Sequence, residues 1–211
     1  FQYMRKRVSM GYFPFFVDVE NQNCLVVGGG VVALRKIEKL LPFNPNIIVV
    51  SPKVHKEILS IENINIIKRK FNFNDLKEKS FVITATDDKT LNKEIYNSCK
   101  ENNIPVNTVD DKDNCSFIFP ALAKNKGVTV AISTSGKSPL YAKYLRKKIE
   151  NLIQDSESIV DNLSKYREKI KNEISLEENR KVAFEKLLEY SLSNESITDD
   201  LVDKIIKDLS V

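Results

Sequence analysis

The first chemistry the sequence offers lies in Val27-Gly28-Gly29-Gly30-Val31-Val32-Ala33, which follows the apolar run Cys24-Leu25-Val26 and precedes a helical pattern reaching Leu41. The G-x-G-x-x-A spacing therefore falls between a strand and a helix, the setting a dinucleotide pyrophosphate needs. Gly28 permits the tight turn, Gly30 lets a phosphate approach the backbone, and Ala33 allows close helix–sheet contact. The helix start offers unpaired N–H groups to the anion. A plain strand-to-helix turn is the competing reading of a glycine triplet.

The rest of such a site is less regular. About 20 residues on, the fingerprint expects an acidic residue for the ribose hydroxyls, but Ser51-Pro52-Lys53 stands there. Ribose binding then falls to Ser51, to backbone groups or to Lys53. Lys53 also suits a 2′-phosphate, or simply solvent. Thr86 and Asp87 follow the fourth strand-like run, where ligand-facing loops lie in such sheets; Asp88 is either a helix cap or a cofactor contact. Asn107-Thr108-Val109-Asp110-Asp111 ends the fifth run and places Asp110 at the edge that carries the glycines. A carboxylate there can take a proton while hydride leaves to a nicotinamide, although Asp after a strand is also a common turn residue.

The elements that must position these residues alternate. Strand-like runs at 24–27, 47–50, 64–67, 81–84 and 106–109 are separated by helical patterns at 31–41 and 90–102, which predicts a doubly wound parallel sheet. Two strand-like runs, 116–123 and 127–133, joined by Lys124-Asn125-Lys126, predict an antiparallel pair. Ser138-Pro139 opens a helix to Leu152, with Ser as cap and Pro at the first helical position. Further helices are expected at 158–174, 176–192 and 198–209. The predicted class is α/β: a Rossmann-type NAD-binding domain over 11–112, a small β-containing dimerisation region over 113–150 and an α-helical C-terminal domain over 151–211. Residues 1–10, opening on Phe1-Gln2 without an initiator Met, are expected to be a tag remnant and a disordered start.

Composition excludes other classes. The 211 residues carry 33 Lys+Arg against 29 Asp+Glu, a net charge of +4, too mild to imply nucleic acid by itself. Three cysteines without a C-x-x-C pair argue against disulfides and zinc and for a reducing, cytoplasmic setting. His55 is the sole histidine; it is expected at the surface, and no metal site is expected. No apolar run reaches the ~20 residues of a membrane span, and no signal-peptide pattern is present.

Taken in order, Phe13-Pro14-Phe15-Phe16-Val17-Asp18, Cys24 to Lys36, Ala85-Thr86-Asp87-Asp88, Asn107-Thr108-Val109-Asp110, Phe117-Ile118-Phe119-Pro120-Ala121 and Ala131-Ile132-Ser133-Thr134-Ser135-Gly136-Lys137-Ser138-Pro139 resemble the amino-terminal dehydrogenase module of siroheme synthase and its stand-alone relatives, the precorrin-2 dehydrogenase/sirohydrochlorin ferrochelatase family. The resemblance covers about residues 11–150; the helical tail matches only in character. It implies NAD as cofactor, with contacts at Val31, Val32, Pro52 and Lys53, and Asp110 as the catalytic aspartate. It also implies a homodimer and oxidation of precorrin-2 to sirohydrochlorin. Some members insert Fe2+ or Co2+ as a second substrate, with the same aspartate accepting pyrrole protons. Asn107, Ser133, Thr134, Ser135 and Lys137 fall at the tetrapyrrole side. The eight carboxylates of that substrate call for positive charge, which Lys137, Lys143, Arg146, Lys147 and Lys148 would supply unless they are a solvated helix face. Where the family often has Ser-Gly-Gly, this chain has Thr134-Ser135-Gly136, which puts phosphorylation at that position in doubt. The chain stops before any methyltransferase module and is not expected to make precorrin-2. Two alternatives stay open on the residues: a module that senses NAD or redox state without turnover, and a chelatase without dehydrogenase activity.

Overall fold

The computed structural model describes residues 12–193 and 197–210; the expected tag remnant and disordered start lie outside the described residues. Two compact units divide the chain, one through Phe119 and one from Pro120.

The first unit is built on a five-stranded parallel sheet. Its strands are β1 (Asn23–Val27), β2 (Asn46–Val50), β3 (Asn65–Ile67), β4 (Phe81–Thr84) and β5 (Val106–Thr108), in the spatial order β3-β2-β1-β4-β5. Every pairing is parallel, so all five carboxyl ends lie along one edge. Strand order reverses between β1 and its two neighbours, and in open sheets of this kind the crevice outside that reversal is where ligands bind. The central strands are apolar on both faces because both faces are covered. Helix α1 (Val31–Leu40) buries Ala33, Leu34, Ile37 and Leu40 with Cys24, Val26, Val49 and Ile83 on one face. On the other face α3 (Lys89–Glu101) sets Ile95 and Cys99 against Leu25, Val27, Val82 and Val106. The short helix α2 (Lys56–Leu59) adds the fully buried Ile58 to the first cluster.

Phe117 and Phe119 also pack on that first cluster, with Phe117 edge-on to Phe81 at 6.3 Å between ring centroids. That packing carries the first unit past residue 112, the end expected from the sequence. It also accounts for a strand expected at 116–123 that is shorter: β6 covers only Ala121–Asn125, pairing antiparallel with β7 (Val128–Ile132). The residues before it serve the Rossmann core. The hairpin turn is Lys126-Gly127, with Asn125 inside the strand. Asn125 Nδ2 donates to the carbonyls of Ile153 at 2.7 Å and Gln154 at 2.6 Å, which satisfies backbone acceptors at the end of α4 (Pro139–Leu152).

The remaining helices are α5 (Ser156–Lys165), α6 (Arg167–Glu173), α7 (Glu177–Leu192) and α8 (Asp199–Leu209). The helix expected at 158–174 is interrupted at Tyr166, whose ring is buried while its hydroxyl donates to Asp199 at 2.7 Å. Tyr166, Ile170, Ile174, Ala183, Leu187, Val202, Ile205 and Ile206 form one core. Packing of this kind supplies most of the stability of short helices. Leu187 is fully buried in it, so Leu187→Ala should lower stability by about 2–5 kcal/mol, seen as a lower urea midpoint with little change in slope when unfolding is followed by helical circular dichroism.

Candidate functional site

The glycine loop shows why its residues are glycines. Gly28 sits at φ +112° and donates its N–H to Val50 O at 3.0 Å; a Cβ there would lie 2.2 Å from Ala85 O. A Cβ on Gly29 would lie 2.4 Å from Lys53 O. Gly30 differs: it is the N-cap of α1, no side chain caps that helix, and a Cβ would meet nothing within 4 Å. Open space thus faces a helix start whose first N–H groups await an acceptor. No acidic residue occupies the first turn, and Val31 and Val32 are 47% and 39% exposed. These features fit a dinucleotide pyrophosphate by shape and by hydrogen-bond demand.

Beside this loop lies the end of β2. The Ser51 N–H donates to Ile67 O at 3.2 Å and its hydroxyl to Lys53 O at 2.6 Å, while His55 N–H donates to Gly29 O at 2.8 Å. The Ser51 side chain is buried and its proton is committed to the loop; Pro52 and Lys53 are exposed. His55, expected at the surface, is half-buried and caps α2, its Nδ1 accepting from Glu57 N–H at 3.4 Å.

At the end of β4, Thr86 Oγ1 donates to Asn92 Oδ1 at 2.7 Å, and Asn92 Nδ2 returns a bond to Thr86 O at 2.9 Å. Asp88 accepts from Leu91 N–H at 3.0 Å and is the N-cap of α3, the cap reading of the two left open. Asp87 is exposed.

After β5 the chain makes a turn in which Asp110 adopts φ +58°, a left-handed conformation that Asp tolerates better than most residues. Its side chain is exposed. Cys115 organises this turn. Its Sγ accepts from Thr108 N–H at 3.2 Å and lies 3.1 Å from the carbonyl oxygens of both Thr108 and Asp111, gripping the backbone on both sides of Asp110. Burial pushes the Cys115 thiol up, the largest of the effects on it, which keeps it a neutral hydrogen-bonding group. Asn107 is buried, donating to Phe117 O at 2.9 Å, while its Oδ1 has no partner among the described residues.

The first unit therefore brings Gly28, Gly30, Val31, Val32, Ser51, Pro52, Lys53, Thr86, Asp87, Asn107 and Asp110 to one edge of one sheet. Ser133, Thr134, Ser135 and Lys137 belong to the second unit, in the loop between β7 and α4. That loop is shaped by its own side chains. Ser133 Oγ accepts from Ser135 N–H at 3.0 Å, Thr134 Oγ1 accepts from Ser138 N–H at 3.1 Å, and Ser135 and Gly136 both have positive φ. Ser138 caps α4, accepting from Tyr141 N–H at 3.3 Å. Among the described residues no group of three His, Cys, Asp or Glu comes together to hold a metal ion, and no helix is long and apolar enough to cross a membrane.

Comparison with known proteins agrees with this geometry. A family model described as putative NAD(P)-binding matches residues 15–121, more than half of the chain. The chain belongs to this family. A second model, described as sirohaem biosynthesis protein central, matches residues 125–152, which adds the hairpin and α4 to the match and bears out the family resemblance carried by the sequence motifs. The siroheme synthase of Ruthia magnifica subsp. Calyptogena magnifica is 35% identical over 181 residues, which is 84% of this chain and 38% of that protein. The siroheme synthase of Blochmanniella pennsylvanica is 41% identical over 169 residues, 78% of this chain and 35% of that protein. This chain thus spans under two-fifths of the length of these relatives. A solved structure named SirC, precorrin-2 dehydrogenase, superposes with a TM-score of 0.70 at 23% identity, covering 94% of this chain and 98% of the other, so the Rossmann-type sheet followed by a helical region is a known fold.

Two contributors escaped the sequence analysis. Cys115 had no spacing partner to flag it, and the lock between Thr86 and Asn92 joins a loop to a helix face that looked merely polar. Gly28→Ala tests the loop: the backbone conformation and the contact with Ala85 O both forbid a side chain. The variant is expected to lose at least about tenfold in NAD affinity by calorimetry and to melt at lower temperature than the parent.

Proposed function

We propose that this chain oxidises precorrin-2 to sirohydrochlorin with NAD, reducing one NAD+ to NADH and releasing one proton per turnover. The observation that carries the reading is Asp110, an exposed carboxylate held in a left-handed turn at the same sheet edge as the glycine loop. The names of the relatives, siroheme synthase and precorrin-2 dehydrogenase, supply the substrate class.

NAD would rest its pyrophosphate on the N–H groups at Val31 and Val32, beside Gly28 and Gly30, with Ser51, Pro52 and Lys53 along the adenosine ribose and Thr86 and Asp87 on the opposite side of the crevice. When bound, it supplies the hydride acceptor. Asp110 would then act as general base, its carboxylate taking the proton from the macrocycle as the C–H bond on the hydride side breaks. Cys115 keeps the turn from relaxing, and Asn107 offers a buried acceptor oxygen next to it. In the second unit, Ser133, Thr134, Ser135 and Lys137 would border the tetrapyrrole, with Lys143, Lys147 and Lys148 of α4 meeting its carboxylates. Arg146 is partly neutralised by Glu150 one turn on.

The same reading extends to a homodimer, supported by exposed apolar side chains on α4: Leu140, Tyr141, Tyr144 and Leu152. It extends also to insertion of Fe2+ or Co2+ as a substrate, with Asp110 accepting pyrrole protons. It places the protein in the cytoplasm, a setting that suits the free thiols of Cys24, Cys99 and Cys115. The test is an anaerobic assay with enzymatically generated precorrin-2, following sirohydrochlorin by absorbance with NAD and separately with NADP. Turnover should require the dinucleotide and fall by 10² or more in Asp110→Ala, with NAD binding by calorimetry unchanged. Nucleotide binding without any turnover would overturn the dehydrogenase and leave the sensing module and the chelatase without dehydrogenase activity.

A further inference from the structure

In dinucleotide sites built on such a sheet, a carboxylate after the second strand accepts from the ribose 2′-hydroxyl, and its charge turns away a 2′-phosphate. Here the chain after β2 reads Ser51-Pro52-Lys53-Val54-His55, without an acid. Ser51 does not take the place of one. Its side chain is buried, and its hydroxyl hydrogen is spent on Lys53 O at 2.6 Å. Pro52 and Lys53 are exposed, and a proline has no N–H to offer. Lys53 is thus the polar side chain that this turn presents to a ribose.

The backbone of Lys53 is pinned beside the glycine loop. Its carbonyl oxygen lies 2.4 Å from where a Gly29 Cβ would stand, Ser51 Oγ holds that same oxygen, and His55 N–H donates to Gly29 O at 2.8 Å. The ammonium is therefore tethered within one side-chain length of the segment that meets the pyrophosphate. The neighbouring loop is cationic as well. Ser51 N–H donates to Ile67 O at 3.2 Å, which sets the exposed Lys68 next to the same turn. Arg69 and Asp75 neutralise each other through two bonds of 2.8 and 2.6 Å. Among the described residues neither Lys53 nor Lys68 forms an ion pair with a carboxylate, Glu57 of α2 included.

We propose that Lys53 is a specificity-determining residue that receives a 2′-phosphate, so that the crevice takes NADP as readily as NAD. This rests on the reading of the glycine loop as a dinucleotide site. Two features act together: the missing carboxylate removes the repulsion that rejects a phosphate dianion, and the lysine supplies a point charge with three donors for it. Lys68 adds to the same field. The hydride-accepting ring is the same in both cofactors, so the chemistry assigned to Asp110 is unchanged.

The test is calorimetric titration of the full chain at low salt with NADP and with NAD, two ligands that differ only at the 2′ position. In the parent, NADP should bind within about threefold of NAD or tighter. The ratio of the two affinities should fall against NADP by about fivefold in Lys53→Ala and further in Lys53→Glu, and should be kept in Lys53→Arg. Because Lys53 is exposed and its bonds to the loop are made by backbone atoms, these substitutions leave the turn in place. Raising the salt should reduce the contribution of the lysine, lowering the ratio in the parent and not in Lys53→Ala. A parent that binds NADP more weakly than that limit, or a ratio that Lys53→Ala leaves unmoved, overturns the role of Lys53 while the dinucleotide site stands. Binding of neither ligand overturns the dinucleotide site itself, so the two failures are told apart in one experiment.

Discussion

Three backbone segments meet at Gly28 and Gly29 with no room for a side chain, and the arrangement of the first unit hangs on that meeting. Ala85 O, at the end of β4, stands 2.2 Å from where a Gly28 Cβ would be, and Lys53 O, after β2, stands 2.4 Å from that of Gly29. The loops that flank the dinucleotide crevice are therefore closed directly onto the glycine loop. Gly28 N–H to Val50 O, His55 N–H to Gly29 O and Ala85 N–H to Val27 O are the bonds that secure it. Gly30 differs, because a Cβ there would meet nothing within 4 Å.

The turn that holds Asp110 is built differently. A left-handed aspartate in an exposed turn would cost conformational energy with nothing around it to over-determine the backbone. Cys115 does so by reaching Thr108 and Asp111 from a single sulfur. Asp111 adds its own grip on Asn114, at 2.6 Å. The turn is rigid because its side chains bond its backbone, so the Asp110 carboxylate is left free of those duties. Phe117 and Phe119, by packing on the α1 face, carry this turn, the core and Lys36 as one assembly.

The second unit works by another economy. Asn125 closes the end of α4 from a strand of the hairpin, and Gly127 leaves space that Val160 of α5 fills, a Cβ there meeting the valine at 2.9 Å. Helices too short to hold alone are fixed by one apolar core through Ile170, Leu187 and Val202. The loop of Ser133 to Lys137 gains its shape from hydroxyls bonded to its own N–H groups, an arrangement available to Ser and Thr at those spacings.

Local pattern was enough to determine much of this protein from the sequence: the parallel sheet, the glycine loop, the Ser138-Pro139 helix start, and the placing of Ser51 to Lys53, Thr86-Asp87 and Asp110 at strand ends. Each depends on residues adjacent in the chain or on apolar periodicity. Tertiary structure decided what depends on distant partners. It made Asp88 a cap, gave the half-buried His55 a capping bond to α2, and made 116–120 a packing segment rather than a strand, because Phe117 and Phe119 gain more from the sheet core than from the hairpin. It also set Cys115 around Asp110 and Lys36 over Phe119, contacts between residues 4 to 83 positions apart in sequence that no spacing rule connects. Period and turn chemistry are local and can be read in one dimension; which groups share a buried space is settled only when the chain has folded.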